Sequence, residues 1–523
     1  MFIVEEKKDQ SVTVTLKNKK EIIFLPQSDL NKSLDLLCKF NNISNKKNKK
    51  IFSIWETNGV YIYPALQEWL FWNFFVGLVQ NEKLSHYLNG KKFKIKNNKY
   101  YTFSSFKRMQ KVLNYERPLI IKLIYNLITF VLTRPYNFKN KVILNDEGPF
   151  SFRFTKLKKI LKKKYNFLKL EKLVLGSLFA VKSSTKKIFF GYLPLKTKKI
   201  SDSFDLEECN CLSEYLSDQD FGKLIESINS KCMEIEYQIR HYLPILRKNK
   251  PKVLLTYDQI ENALPIVACL KMLKVKVFSF QHGPFSKYHA GWLAPGIPSK
   301  YCNLKPSKLV VWGSYWKSFL CKHSNKYTSD SIIVGPHLNK EIMYDWDRSK
   351  RRKKIKKLNK LKILVPFEFL ANNIEISDYI REFHRLGWSI VVKLRPEKNI
   401  DKVTDQLSYK SEIRSIIDFR EEISDNELGS FDAVVCTQSV FAVEMMRFNV
   451  PIWYLETSVP FLKHIAENGI AHSINMNVIK DFFVNIENVK NYLKPSYDIN
   501  DYKNLFNNME LENFINNLKE FNG

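Results

Sequence analysis

Short apolar runs alternate with segments of helical periodicity through the second half of the chain, and this alternation restricts the possible folds more than any other feature. The predicted strands are KVLLTYD (252–258), KVFSFQHG (276–283), LVVWG (309–313), SIIVGPH (331–337), LKILVPFEF (361–369), GWSIVVKLRP (387–396), FDAVVCT (431–437) and PIWYL (451–455). The intervening segments carry apolar residues at helical spacing. Strands that alternate with helices form parallel sheets covered by helices. We therefore predict an α/β fold with two doubly wound, Rossmann-like domains.

A basic run separates the two groups of strands. The segment RSKRRKKIKKLNK (348–360) holds nine basic residues and no acidic one, which is typical of an exposed linker. We therefore predict an amino-terminal domain at residues 1–345, a linker at 346–360 and a carboxyl-terminal domain at 361–523.

The amino-terminal domain has a clear Rossmann pattern only at residues 250–340. The basic elaboration at residues 1–200 gives weaker signals, from which we predict strands at 11–16 and 51–55 and an aromatic-rich helix at 63–79. The order of these elements in space does not follow from their sequence.

The positive charge is concentrated near the amino terminus. The 523 residues include 84 Lys and Arg against 53 Asp and Glu, a net charge of +31. Residues 1–200 carry 40 basic and 13 acidic residues, and residues 151–200 carry 15 and one. Such a region suits nucleic acid, an anionic membrane or a polyanionic substrate, or reflects compositional drift. Apolar residues among the lysines of 152–179 favour an amphipathic element at a lipid headgroup surface.

Other sequence features favour a cytoplasmic location. The eight cysteines form no CxxC pair, and the amino terminus MFIVEEKKDQ lacks the pattern of a signal peptide. The longest apolar run, Pro118 to Leu132, contains Lys122 and is shorter than the roughly 20 residues of a spanning helix. We expect no transmembrane segment and a peripheral position on the inner face of the cytoplasmic membrane.

Polar residues follow several predicted strands, where ligands of doubly wound sheets bind. The candidates in the amino-terminal domain are Asp258, His282 and Gly283, and those in the carboxyl-terminal domain are Lys393, Arg395, Thr437, Gln438, Ser439 and Glu444. A carboxylate and an imidazole suit acid–base or nucleophilic chemistry on a sugar. The cations and the helix start at Ser439 suit a phosphate, and Glu444 suits ribose hydroxyls.

The order TYD, QHG, VVWG and VGPH, followed by KLRPE and CTQSVFAVE, resembles bacterial GT-B glycosyltransferases of capsule and lipopolysaccharide synthesis. The similarity covers about residues 250–460. Within that group the sequence resembles Kdo transferases and polysialyltransferases that use CMP-sugars, and CDP-glycerol glycerophosphotransferases. The resemblance implies two Rossmann-like domains facing a cleft, with the donor bound by the carboxyl-terminal domain and the acceptor by the amino-terminal domain.

The resemblance also implies roles for individual residues. It places a nucleophilic aspartate at Asp258, and Arg395–Pro396 stands where these families often have a His–Pro pair that contacts the donor phosphates. It implies protein groups rather than a metal at the leaving nucleotide. The two D-x-D pairs, Asp218/Asp220 and Asp345/Asp347, lie in charged, loop-like surroundings and are interpreted as chance.

These observations predict a metal-independent glycosyltransferase that uses a nucleotide-sugar, CMP-linked and acidic such as Kdo, and acts on a surface polysaccharide or lipid-linked glycan. No separate cofactor is expected. The alternatives with the same fold are a CDP-polyol phosphotransferase and a sugar-nucleotide 2-epimerase. The alternative outside enzymes is a nucleic-acid-binding protein, which rests on the charge alone because no recognition motif for nucleic acid is present.

Overall fold

The computed structural model contains two compact units. The larger unit comprises residues 31–79, 105–341 and 506–523, and the smaller unit comprises 1–30, 80–104 and 342–505. The structure describes residues 2–6, 11–16, 19–24, 29–80, 93–96, 109, 112–113, 119–133, 139, 141–145, 154–165, 167–172, 187–190, 193–194, 200, 203–204, 210–257, 263–338, 358–367, 373–394 and 414–519. The chain leaves and re-enters both units, so residues 506–523, predicted with the carboxyl-terminal domain, belong to the larger unit.

The described strands are numbered in chain order. They are β1 (Phe2–Glu6), β2 (Ser11–Leu16), β3 (Lys19–Phe24), β4 (Glu56–Thr57), β5 (Val60–Tyr61), β6 (Phe93–Lys96), β7 (Val142–Asn145), β8 (Phe167–Lys172), β9 (Lys187–Phe190), β10 (Val253–Tyr257), β11 (Lys276–Phe280), β12 (Lys308–Val311), β13 (Ile332–Val334), β14 (Lys362–Pro366), β15 (Ser389–Lys393), β16 (Ile417–Arg420), β17 (Ala433–Cys436), β18 (Ile452–Leu455) and β19 (His472–Ile474).

The described α-helices are numbered in the same way. They are α1 (Leu30–Asn41), α2 (Gln67–Leu70), α3 (Leu119–Thr133), α4 (Thr155–Lys164), α5 (Asn210–Ser213), α6 (Asp218–Lys248), α7 (Leu264–Met272), α8 (Ala290–Leu293), α9 (Ser314–His323), α10 (Asn373–Arg385), α11 (Asp425–Leu428), α12 (Val440–Glu444), α13 (Lys463–Glu467), α14 (Met476–Val484), α15 (Ile499–Leu505) and α16 (Leu511–Asn517).

The larger unit is built on a parallel sheet of seven described strands in the order β9-β8-β7-β10-β11-β12-β13. The first strand in sequence, β7, is therefore central, and the chain moves outward from it in both directions. This is the Rossmann order with one additional strand at the edge. The point where the order reverses lies between β7 and β10, where Asn145 is opposite Thr256.

The smaller unit contains a second parallel sheet, of six described strands in the order β16-β15-β14-β17-β18-β19. Numbered from its own first strand, the order is again that of a Rossmann sheet, and it reverses between β14 and β17. Strands β1, β2, β3 and β6 form a separate sheet in this unit, antiparallel except for the pairing of β1 with β6. The predicted strand at 11–16 is confirmed by β2.

Helix ends follow the capping signals in the sequence. Ser217 accepts a hydrogen bond from the backbone N of Asp220 at the start of α6, where Asp218 and Asp220 also complement the helix dipole. This D-x-D pair therefore belongs to a helix start. The spacing of Ser424 and Glu427 predicts a capping box, and Ser424 does cap α11. The Glu427 carboxylate instead pairs with Lys362 and Arg420.

The smaller sheet is packed around a cluster of large aromatic side chains. Trp453 of β18 lies 5.9 Å from Phe383, 5.6 Å from Trp388 and 6.5 Å from Phe482, measured between ring centroids. Its indole Nε1 donates to the carbonyl of Tyr492 at 2.7 Å. The ring is fully buried, so it joins the sheet to helices α10 and α14 and to the segment after them.

Two elements of the amino-terminal half correct the expectations from sequence. The predicted strand at 51–55 is wrong, because Ile51–Ser53 forms a 3₁₀ turn that buries Ile51 and Phe52. The amphipathic pattern within 152–179 has another use than a lipid surface, since Leu157, Ile160 and Leu161 of α4 are buried against the larger sheet. The apolar side of this lysine-rich helix is therefore already covered by protein. The aromatic helix predicted at 63–79 is confirmed, with a π-helical turn at Phe71–Phe75.

We predict that Trp453→Ala lowers the free energy of unfolding of the smaller unit by about 3–5 kcal/mol, the usual cost of removing a large aromatic side chain from a core. Urea denaturation followed by circular dichroism measures the change. Val484→Ala is the matched control, because Val484 on α14 is 87% exposed. Equal stabilities of the two variants would contradict the central position of Trp453.

Candidate functional site

A row of buried polar side chains crosses the larger sheet near its carboxyl edge. Asn145, Thr256 and Ser279 are opposite one another on β7, β10 and β11 and are fully buried. Asn145 Nδ2 donates to Thr256 Oγ1 at 2.9 Å. Within the described part of the chain, Asn145 Oδ1 and Ser279 Oγ have no hydrogen-bond partner. This polar row lies where the strand order reverses, the position at which doubly wound sheets bind ligands.

Sequence reasoning missed the polar row, although a signal was present. Each residue is the single polar side chain near the end of an apolar run, in VILN, VLLTY and VFSF. Asn145 was not considered because β7 was not predicted. Thr256 and Ser279 precede the last residue of their strands, so a search for polar groups directly after the strands passes over them.

His282 lies two residues after β11 in an aromatic environment. Its ring contacts Tyr257 and Trp292 edge-on, each at a centroid distance of 6.0 Å, and the residue is 9% exposed. The preceding Gln281 is fixed by two bonds, from the Trp312 backbone N to Gln281 Oε1 and from Trp312 Nε1 to the Gln281 carbonyl. His282 thus fills volume between two rings, so its replacement by Ala would also remove packing contacts.

The loop after His282 is held by polar contacts from Glu68 of the aromatic helix and from Lys326. Glu68 Oε2 accepts from the backbone N of Gly291 at 2.8 Å, and Lys326 Nζ donates to the Gly291 carbonyl at 2.8 Å. Lys326 is only 4% exposed. His289 Nδ1 accepts from the backbone N of Ser286 at 3.1 Å, so the ring proton of its neutral form is on Nε2. The loop is therefore anchored on both sides.

Gly283 and Gly296 in this loop have different reasons to be glycine. At Gly296 φ is +71°, and a Cβ would lie 2.9 Å from the carbonyl oxygen of Cys38. At Gly283 a Cβ would meet no atom within 4 Å, and φ is not in the left-handed region. Packing therefore requires glycine at position 296 but not at position 283.

We predict that Gly296→Ala destabilises the larger unit by about 2 kcal/mol or more, because left-handed backbone costs a non-glycine residue about 1–2 kcal/mol and the Cβ also contacts the Cys38 carbonyl. Gly283→Ala should leave the melting temperature unchanged. Thermal unfolding of both variants tests the difference. A loss of activity in Gly283→Ala without a loss of stability would assign that glycine to ligand approach.

In the smaller unit, residues 437–439 connect β17 to α12. Thr437 is 1% exposed, and its carbonyl accepts from the backbone N of Leu462 at 3.2 Å. Gln438 is half-buried. Ser439 Oγ accepts from the backbone N of Phe441 at 3.3 Å, which makes Ser439 the N-cap of α12 as expected for this position. Helix α12 is only five residues long and continues as a 3₁₀ turn over Met445–Phe448.

Lys393 at the end of β15 lies on the face of the sheet that carries α12. Its Nζ is 5.1 Å from the centroid of the Phe441 ring and donates to the Leu394 carbonyl at 3.3 Å. Burial lowers the pKa of Lys393, and the charges of Glu444 and Glu422 oppose this shift. An anion bound beside Lys393 would therefore favour its charged form.

The structure thus brings Lys393, the start of α12 and Glu444 together near the point where the strand order of the smaller sheet reverses. One carboxylate oxygen of Glu444 is buried, and its charge acts on Lys393. Asp258 and Arg395 lie outside the described residues; they follow Tyr257 and Leu394 directly in sequence. Their assignments remain predictions.

Two acidic residues at the same edge of this sheet were missed. Glu456 comes directly after β18. Its carboxylate accepts hydrogen bonds from Ser473 in the neighbouring strand β19 and from Asn475, which follows β19. Glu375 in the first turn of α10 accepts from the backbone N of Ser458 at 2.8 Å. Burial and these two carboxylates raise the pKa of Tyr379. Applying the strand-end rule to IWYLE would have found Glu456.

No protein-family model matches the sequence, and no curated protein matches it. Among solved structures, the chain is similar to the UDP-GlcNAc 2-epimerase of Methanocaldococcus jannaschii at 12% identity and a TM-score of 0.39, over 72% of this chain and 98% of that protein. The chain is also similar to the calicheamicin glycosyltransferase CalG4, at 13% identity and a TM-score of 0.39, over 70% of this chain and 92% of that protein. A third similar structure is MurG of Acinetobacter baumannii, at 10% identity and a TM-score of 0.39, over 68% of this chain and 92% of that protein.

Similarity at this level transfers no activity, so the chemistry of this chain has to be inferred from its own residues. The fold class follows from the two sheets themselves. Both have the Rossmann strand order, which confirms the prediction of an α/β chain with two doubly wound, Rossmann-like domains.

Proposed function

We propose that this chain is a metal-independent glycosyltransferase that uses a nucleotide-sugar. The observation that carries the proposal is a group of three residues, Lys393, Phe441 and Glu444, which lie beside residues 437–439. The group is near the point where the strand order of the smaller sheet reverses. A cation, backbone N–H groups at a helix start and a carboxylate are complementary to a nucleotide phosphate and a ribose. The second Rossmann sheet supplies a separate polar edge for an acceptor.

The donor would be held mainly by the smaller unit. Lys393 and Arg395 are assigned to the phosphates together with Thr437, Gln438 and Ser439, and Glu444 is assigned to the ribose hydroxyls. Gly283 is also assigned to donor binding, since a Cβ at this position would meet no atom within 4 Å. The proposed donor is a CMP-linked acidic sugar such as Kdo, by the resemblance in sequence.

The larger unit would bind the acceptor and carry the reacting groups. Asp258 would attack the anomeric carbon as its bond to the phosphate oxygen breaks, and the acceptor hydroxyl would then displace Asp258. His282 would take the proton of that hydroxyl. The aromatic rings of Tyr257 and Trp292 hold the imidazole in one place, which suits proton transfer in a fixed direction.

The proposed acceptor is a surface polysaccharide or a lipid-linked glycan at an anionic membrane, with the enzyme peripheral on the inner face of the cytoplasmic membrane. The excess of lysine and arginine in residues 1–200 supports this partner. The described part of the chain contains no helix long and apolar enough to cross a bilayer.

We expect CMP or CDP to raise the melting temperature in a thermal-shift comparison with UDP and GDP, since a ligand of the folded state stabilises it by RT ln(1 + [L]/Kd). Lys393→Gln and Arg395→Ala should each weaken nucleotide binding roughly 10- to 150-fold through the loss of a charge-assisted bond. Lys480→Ala is the control, because Lys480 is an exposed lysine on α14. Unchanged affinity in both variants would exclude this donor site.

We expect His282→Gln to reduce transfer by about 10²- to 10⁴-fold, the typical contribution of a general acid–base group, with nucleotide affinity unchanged. Glutamine keeps much of the buried volume, so folding can be verified by the melting temperature. A transferase forms a glycosidic bond that adds no phosphorus to the acceptor and releases the nucleotide, a CDP-polyol phosphotransferase forms a new phosphodiester on the acceptor, and a 2-epimerase alters the sugar on an intact nucleotide. Phosphorus NMR of the products distinguishes the three, and full activity of the variant would refute the role of His282.

A further inference from the structure

Helix α3 of the larger unit exposes a continuous apolar face. Leu119, Ile120, Leu123, Ile124 and Leu127 are between 41% and 67% exposed. These positions follow the pattern i, i+1, i+4, i+5 and i+8, which places the five side chains on one side of the helix. We call these five residues the α3 face. Other large apolar residues with comparable exposure in the described chain are Phe483, Val484 and Met509, none of which belongs to a stripe of this length.

The polarity of α3 is the reverse of that of an ordinary surface helix. Lys122 is only 8% exposed. Asn126 makes two hydrogen bonds with the backbone of Leu193: Asn126 Nδ2 donates to the Leu193 carbonyl at 2.8 Å, and Asn126 Oδ1 accepts from the Leu193 N at 2.7 Å. Helix α3 packs beside β9. Specific hydrogen bonds thus fix the polar side inward and leave the aliphatic side outward.

The sequence around the helix indicates what covers this face. Residues 101–141 contain eight basic residues and one acidic residue, Glu116. The pairs Arg117–Pro118 and Arg134–Pro135 directly precede and follow α3. An aliphatic stripe with arginines at both ends is complementary to a bilayer that presents acyl chains below anionic headgroups.

A second copy of the chain is a poorer partner for the same face. Two α3 faces packed against each other would bring the basic flanks of both copies together, with one acid between eight cations on each side. The helix has 15 residues, about 22 Å at 1.5 Å per residue, which is too short to span a bilayer. It therefore suits a position parallel to the membrane surface.

We infer that the α3 face docks the protein on an anionic membrane, with its aliphatic side chains at the boundary between headgroups and acyl chains. This inference specifies the membrane partner of the proposed function. It also moves the contact from the lysine-rich segment 152–179, whose α4 uses its apolar residues in the core. The docking is independent of nucleotide binding, so the two can fail separately.

The test is co-sedimentation of the full chain with vesicles of phosphatidylcholine alone or with phosphatidylglycerol added, without nucleotide. The variant is Ile120→Gln/Leu123→Gln/Leu127→Gln. The matched control is Phe483→Gln/Val484→Gln, which removes exposed apolar residues from α14. A second control, Lys159→Gln/Lys162→Gln/Lys163→Gln, removes charge from α4 and leaves its buried residues in place.

We expect the wild type to bind phosphatidylglycerol vesicles, with binding that weakens as salt increases. The α3 variant should lose at least about tenfold in partition coefficient, because three aliphatic side chains no longer enter the bilayer. The α14 variant should bind as the wild type does, and the α4 variant should retain most binding. Melting temperatures confirm that all variants are folded.

Three results would overturn the inference. They are wild-type binding that the α3 variant retains, loss of binding in the α4 variant alone, and no wild-type binding to anionic vesicles at low salt. A dimer that the α3 variant dissociates would identify a second copy as the occupant instead. None of these outcomes affects the thermal-shift result with nucleotides, which reports on the donor site alone.

Discussion

Hydrogen bonding between parallel strands is the constraint on which the rest of this structure depends. In both Rossmann-type sheets each described strand pairs with neighbours that run in the same direction, so the connections between adjacent strands must cross the sheet and return. The carboxyl ends of all strands then meet at one edge. The chain satisfies this constraint twice, with a central first strand in each sheet, and both switch points carry polar side chains.

Aromatic packing fixes what the sheets alone leave open. In the smaller unit, Trp453 connects the sheet with the helices on one face, and the opposite face carries Lys393 and α12. In the larger unit, Tyr257 and Trp292 hold His282, and Trp312 holds Gln281. His282 and Lys393 therefore both lie beside aromatic rings.

The described lysine side chains are found in two kinds of environment. The lysines of α4 point outward above a buried apolar side, as in an ordinary amphipathic helix. Lys122, Lys326 and Lys393 are instead partly or fully buried, and Lys326 and Lys393 donate to backbone carbonyls. Helix α3 shows the second arrangement, since Lys122 lies inward while the five aliphatic residues of the α3 face are exposed. In the docking inferred above, this helix connects the charge of the amino-terminal half to a membrane.

The sequence by itself determined the alternation of strands and helices after residue 252, the strand-end candidates and several helix caps, because apolar periodicity and capping depend on neighbouring residues. It predicted the positions of Ser439, Lys393 and His282 at strand ends. It did not determine β7, β8 and β9, which are short or lysine-rich; β7 pairs with β10, β8 pairs with β7, and β9 pairs with β8. Only the tertiary structure decided that Asn145, Thr256 and Ser279 share one row, that α4 is covered and that α3 is exposed. The physical reason is that burial is a property of contacts between distant segments, whereas the pattern of one segment is the same whether protein or lipid covers its apolar side.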